Sequence, residues 1–132
     1  MTEIYLDENL SEFVAEALNT LCKGYFTDVI VYSTKLKIGK GVPDEDIIPV
    51  IGKSKGILIT KDTNIHRTRN QYQLCEKYRL GIFFLKPAKG KDRHWETVKM
   101  LIENWEAILA IINEDKFPFG YEIPARGKMR RL

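Results

Sequence analysis

The sequence predicts an α/β fold: three layers, with helices on both faces of a central, mainly parallel sheet of four or five strands. Two observations carry this. Four short apolar runs, residues 3–6, 28–32, 57–60 and 81–85, are bounded by polar or glycine positions and read as buried strands. Between them lie longer segments whose apolar residues recur at helical spacing, and such alternation requires crossovers between parallel strands. A third observation, three aspartates placed at the ends of these elements, bears on function.

The first helix is expected from Leu10 to Cys22, where Phe13, Val14, Ala17, Leu18 and Leu21 follow the 3.6-residue period. Asn9 is a candidate N-cap, with Glu12 three residues later. The stretch 34–42 is expected to be an exposed loop. A second helix opens near Asp44, with a distorted start because Pro49 lacks an amide hydrogen. A third runs from about Asn64 to Arg79, burying Ile65, Tyr72 and Cys75. The fourth covers about 94–114, with Val98, Leu101, Ile102, Trp105, Ile108, Leu109 and Ile112 forming one stripe, while Trp95 is expected to be exposed. Residues 117–132, with two prolines and two glycines, read as an irregular basic tail after a domain spanning 1–116.

Bulk properties narrow the class. Apolar residues at 44% and charged residues at 30% of 132 suit one globular domain. No apolar run approaches the roughly 20 residues of a membrane span, so no membrane association is expected. The N-terminus shows no basic region followed by an apolar stretch, so no secretory leader is expected. Cys22 and Cys75 lie on apolar helix faces without metal-ligand spacing, and read as reduced core thiols in a cytoplasmic protein. The formal charge of +3 is unevenly spread, since the last eight residues carry four basic groups and leave the body near neutral. Concentrated positive charge suits a polyanionic partner.

The aspartates carry the chemistry. Asp7 ends the first apolar run, Asp62 follows the third, and Asp44 starts a helix. In a parallel sheet both strand ends emerge on one edge, and a helix leading back to the next strand starts there too, so all three can converge. Crowded carboxylates repel one another unless a cation neutralises them. Mg²⁺ or Mn²⁺ suits such an oxygen cage, and such ions lower the pKa of a bound water and clamp a phosphodiester. Glu8, Asp46 and Asn64 are second-line candidates for ligands. Each acid also has a plainer reading, with Asp44 or Asp62 as a helix cap and Asp7 as loop acidity. Basic groups lie close by in sequence. Lys61, His66, Arg67, Arg69 and Asn70 surround or follow Asp62, and Lys89, Lys91 and Arg93 form a second basic loop, both suited to a phosphate backbone. Gly52-Lys53-Ser54 lacks the earlier glycine of a P-loop.

The segments Ile4-Tyr5-Leu6-Asp7-Glu8-Asn9-Leu10, Pro43-Asp44-Glu45-Asp46-Ile47 and Ile57-Leu58-Ile59-Thr60-Lys61-Asp62-Thr63-Asn64-Ile65 together resemble the PIN-like nuclease superfamily. The matching patterns are a strand ending in Asp, an Asp-x-x-Ile helix start and Thr-x-Asp closing a later strand. The likeness covers about residues 3–86 and is to the small branch that includes ribonuclease toxins of prokaryotic toxin–antitoxin pairs. It implies a metal-dependent endoribonuclease, RNA as substrate, a cognate antitoxin and a possible homodimer. It also implies that Asp7, Asp44 and Asp62 bind metal and that the Thr60 hydroxyl supports the site. The family's extra mid-chain acid has no clear counterpart among Glu12, Glu16 and Asp28, and Pro49 is a second departure. Two other readings stay open: a PIN-like module that binds RNA or protein but cuts weakly, and a receiver-like or Toprim-like acidic pocket.

Overall fold

The computed structural model describes residues 1–61, 64–90 and 93–132. The chain alternates β1 (Thr2–Leu6), α1 (Glu12–Cys22), β2 (Val29–Ser33), α2 (Thr34–Lys37), α3 (Asp44–Lys53), β3 (Ile57–Lys61), α4 (Ile65–Tyr78) and β4 (Gly81–Lys86). It continues through α5 (His94–Glu103), α6 (Trp105–Glu114), β5 (Phe119–Pro124) and β6 (Arg130–Arg131). One six-stranded sheet results, in the order β2-β1-β3-β4-β5-β6. All neighbours are parallel except β5 and β6. The α/β class and the mainly parallel sheet expected from sequence are therefore present.

Side-chain alternation along the strands builds two cores. Ile4 and Leu6, Ile57 and Ile59, and Phe83 and Leu85 point to the face covered by α1, α5 and α6. Tyr5, Leu58, Ile82 and Phe84 point to the opposite face, covered by Ile47, Ile48 and Ile51 of α3 and Cys75 of α4. Because the period is two, Asp7 and Thr60 fall on the α3/α4 face with Tyr5 and Leu58. The outer edge at β2 is partly closed by Asn19 of α1, whose amide donates to the Val31 carbonyl and accepts from the Val31 N–H, both at 2.8 Å. A neighbouring strand would make the same pair of bonds, so this device blunts an edge open to self-association.

The structure differs from the sequence reading in several elements. The segment 117–132 is not an irregular tail: β5 pairs in register with β4 from Gly81↔Phe119 to Lys86↔Pro124, and β6 returns beside β5. Close packing demands glycine there, since a Cβ on Gly81 would strike the Phe119 ring and one on Gly120 would lie 2.5 Å from Tyr72. The expected helix over 94–114 is two helices, broken at Asn104, whose side-chain amide donates to the Met100 carbonyl at 2.7 Å. That competing local bond is the usual reason asparagine interrupts a helix. The stretch 34–42 begins with α2, and the hydroxyl of buried Thr34 donates to the Leu6 carbonyl, tying β2 to the end of β1. Ser11, not Asn9, caps α1, accepting from the Phe13 N–H at 3.1 Å. Phe13, Leu21, Ile65 and Ile102 are exposed rather than buried. α3 runs unbroken through Pro49.

Candidate metal centre

Asp7 leaves the end of β1, and its N–H donates to the Ile59 carbonyl at 2.9 Å, extending the β1–β3 ladder by one bond. That bond fixes the carboxylate beside Thr60, which β3 presents on the same face. Thr60 is wholly buried and its hydroxyl donates to Asp7 Oδ2 at 2.8 Å. Asn9 Nδ2 approaches the same oxygen at 3.4 Å, and the Glu8 N–H donates to Oδ1 at 3.0 Å. Asp7 is only 3% exposed, so an anion sits nearly out of water on a full set of donors.

Asp44 arrives from another element. Pro43 occupies the N-cap position of α3 with an extended backbone, and Asp44 is the first helical residue, with Glu45 and Asp46 behind it. Acidic groups in a first turn oppose the positive end of the helix. Asp44 is thus no side-chain cap, and its carboxylate is available to a partner across the α3–α4 interface.

That partner is Arg67. Its Nε donates to Asp44 Oδ2 at 3.2 Å, and one terminal nitrogen reaches both Asp44 Oδ1 and Asp7 Oδ1 at 3.4 Å. The guanidinium therefore bridges the two carboxylates. Partial burial pulls its pKa down, but the bonds and charges of Asp44 and Asp7 outweigh this and hold it above the ordinary arginine value. From sequence Arg67 was a phosphate contact; here the group lies on the site's own acids. The signal that locates it is Asn64, whose side chain caps α4 by accepting from the Arg67 N–H at 2.8 Å.

The second-line candidates have other occupations. Glu8 accepts from the Gly41 N–H at 2.9 Å, holding the loop that leads to α3. Asn64 serves as the α4 cap, and Asp46 is exposed in the first turn of α3. Asn70 donates to Glu45 at 3.2 Å. His66 and Arg69 are exposed on α4, Lys61 is half-buried at the end of β3, and Lys89 and Arg93 are exposed between β4 and α5. Asp62 and Lys91 lie outside the described residues. Among the described residues no three Asp, Glu, His or Cys side chains gather as a metal would require. Asp7 and Asp44 are brought together through Arg67, and Thr34, the first residue of α2, whose hydroxyl donates to the Leu6 carbonyl beside Asp7, is a supporting residue that the sequence did not single out.

A family model described as a PIN like domain matches residues 2–87. The chain belongs to the PIN-like domain family. The match spans β1 through β4 and stops there, so α5, α6, β5 and β6 extend the sheet and its covering beyond the matched PIN-like region. The PIN-like fold is a nuclease-type fold. No curated protein and no solved structure shows significant similarity to the chain.

The donors brought together here are carboxylate oxygens, the type a hard divalent ion takes. They lie on two separately anchored elements, at the strand-end edge where α/β sheets place ligands. The pair already draws a cation, since Arg67 spans it.

Proposed function

We propose that this chain is a metal-dependent endoribonuclease, the toxin of a toxin–antitoxin pair. The observation that carries this reading is the nearly buried Asp7 carboxylate, held by Thr60 and facing Asp44 across one cation position. Asp7 and Asp44 would hold Mg²⁺ or Mn²⁺, with Asp62 as the further ligand expected from its place after β3. Such an ion lowers the pKa of a bound water and neutralises charge on a phosphodiester.

The chain's own residues supply the rest. Thr60 and the Glu8 N–H orient the Asp7 carboxylate, leaving its charge directed at Asp44 and Arg67. Arg69 on α4, with Lys89 and Arg93 beyond β4, offers positive charge at the edge where a polyanion would approach, and exposed His66 lies beside them. Single-stranded RNA is the favoured substrate, since its backbone is accessible. An antitoxin would neutralise such a site by placing positive charge among the aspartates or acidic groups over α4.

One observation favours a second reading. Arg67 already neutralises much of the Asp7–Asp44 pair, as would suit a PIN-like module that binds RNA without cutting it. A single experiment separates the two. The purified chain should cut RNA only with Mg²⁺ or Mn²⁺ present, its expression alone should slow growth, and Asp7→Asn should abolish both effects. Equal and harmless expression of both forms, without cleavage, would exclude the enzyme and leave the binding module.

A further inference from the structure

Resting on the metal-site reading, we propose that Arg67 is the site's resident cation and that a divalent ion binds only by displacing its guanidinium. The metal affinity of this chain is then set by how tightly one arginine holds two carboxylates.

Geometry is the first argument. Arg67 forks onto Asp44 through Nε and a terminal nitrogen, at 3.2 and 3.4 Å, and the same terminal nitrogen reaches Asp7 at 3.4 Å. These are the two carboxylates a metal would have to share. A planar guanidinium with several fixed donors satisfies such oxygens where a lysine, with one point of charge, does not.

Charge is the second argument. Asp7 and Asp44 carry two negative charges and Arg67 returns one, so the trio keeps a net negative charge that attracts a divalent ion. With both cations present the cluster would turn positive, around a carboxylate only 3% exposed. Repulsion between unit charges at such range is large where water is scarce. Exchange avoids it; joint occupancy does not.

The third argument is that displacement costs little structure. The backbone of Arg67 is held by the Asn64 cap, not by its guanidinium, so α4 keeps its start when the side chain leaves. The side chain is 28% exposed and has a path to water. It would swing out near exposed His66 and Arg69, adding a forked phosphate-binding group to that surface. Metal entry and phosphate binding would then reinforce each other through a single side chain.

The test measures Mn²⁺ binding to the purified full chain, by the loss of the free-ion EPR signal, in wild type, Arg67→Gln and Arg67→Lys. Removing a competing charge-assisted fork should tighten Mn²⁺ binding by about tenfold or more in Arg67→Gln. Lysine keeps the charge without the fork, so Arg67→Lys should fall between the other two. Melting in EDTA gives a second readout: Arg67→Gln should melt below wild type and gain more from added Mn²⁺. Wild-type binding with equal or weaker affinity in both variants would overturn the exchange and leave the metal site standing. Failure of all three proteins to bind Mn²⁺ would overturn the metal site, and the exchange with it. If Arg67→Gln does not fold, Arg67→Lys decides, and affinity no tighter than wild type refutes the proposal.

Discussion

Thr60→Val is the most informative single change at this site, because it removes one hydroxyl and almost nothing else. Valine keeps the shape and the β-branch that suits β3, so no cavity opens. What disappears is a buried 2.8 Å bond to a carboxylate that is 3% exposed. Asp7 Oδ2 would be left with Asn9 at 3.4 Å, a long contact at best. Hydrogen bonds to charged groups contribute about 1.5–3 kcal/mol, and a buried acceptor left short of partners sits toward the upper part of that range. A loss of about 2.5 kcal/mol is expected, which for a domain of this length lowers the melting temperature by roughly 9 °C. Urea unfolding of wild type, Thr60→Val, Asp7→Asn and the double variant closes the cycle. In the Asp7→Asn background the bond has a neutral acceptor, so Thr60→Val should cost only about 1 kcal/mol. A Thr60→Val stability within about 0.5 kcal/mol of wild type, or equal costs in both backgrounds, would refute the claim that this hydroxyl holds a charged Asp7.

At the other end of the chain, Asp115 accepts from Arg131 at 2.5 Å and from the Tyr121 hydroxyl at 2.6 Å, and these bonds hold its pKa below the ordinary 3.8. A depressed folded-state pKa contributes stability above pH 3.8 that is lost as pH falls through the lower folded value. Asp115→Asn should therefore melt below wild type at pH 7, with the gap closing below about pH 4; a gap that persists in acid would assign the effect to packing instead. On α4, Arg69→Ala should flatten the salt dependence of RNA binding by about one phosphate contact, measured by fluorescence anisotropy across a salt series. An unchanged slope would make exposed Arg69 a merely solvated residue.

The sheet was legible in the sequence because continuous apolar runs leave little choice: all four expected strands appear, with Ile4, Leu6, Ile57, Ile59, Phe83 and Leu85 buried. β5 was hidden by its composition. Phe119-Gly-Tyr-Glu-Ile-Pro124 lies between prolines and contains a glycine, which read as irregular chain, yet that glycine lets β5 pass beneath Tyr72. Helical period located α1 and α4 but overstated their burial, since it identifies a stripe without saying how wide a covering the sheet supplies. Phe13 at 70% and Leu21 at 61% exposed lie on the uncovered margin of α1. At the candidate site, Asp7 and Asp44 were legible because strand ends and helix starts are coarse features, while Thr60 was singled out only through the family resemblance. The partner of the two acids was not legible, because it depends on the rotational setting of α4.

That setting has a traceable origin. Asn64 caps α4 by binding the Arg67 N–H, three residues on, and so fixes which residue begins the helix. Successive residues turn by about 100° around a helix, so a start shifted by one would carry the Arg67 side chain about a quarter-turn away from the α3 interface. With the start fixed, Arg67 faces Asp44 at the first turn of α3, while His66 and Arg69 face solvent. One cap thereby divides a basic segment in two: a guanidinium set on the acidic pair, and neighbours left exposed at the surface. The sequence Asn64-Ile-His-Arg-Thr-Arg-Asn70 shows a basic patch when read as composition. Read from its cap, it shows an arginine assigned to the acids by the same hydrogen bond that starts the helix.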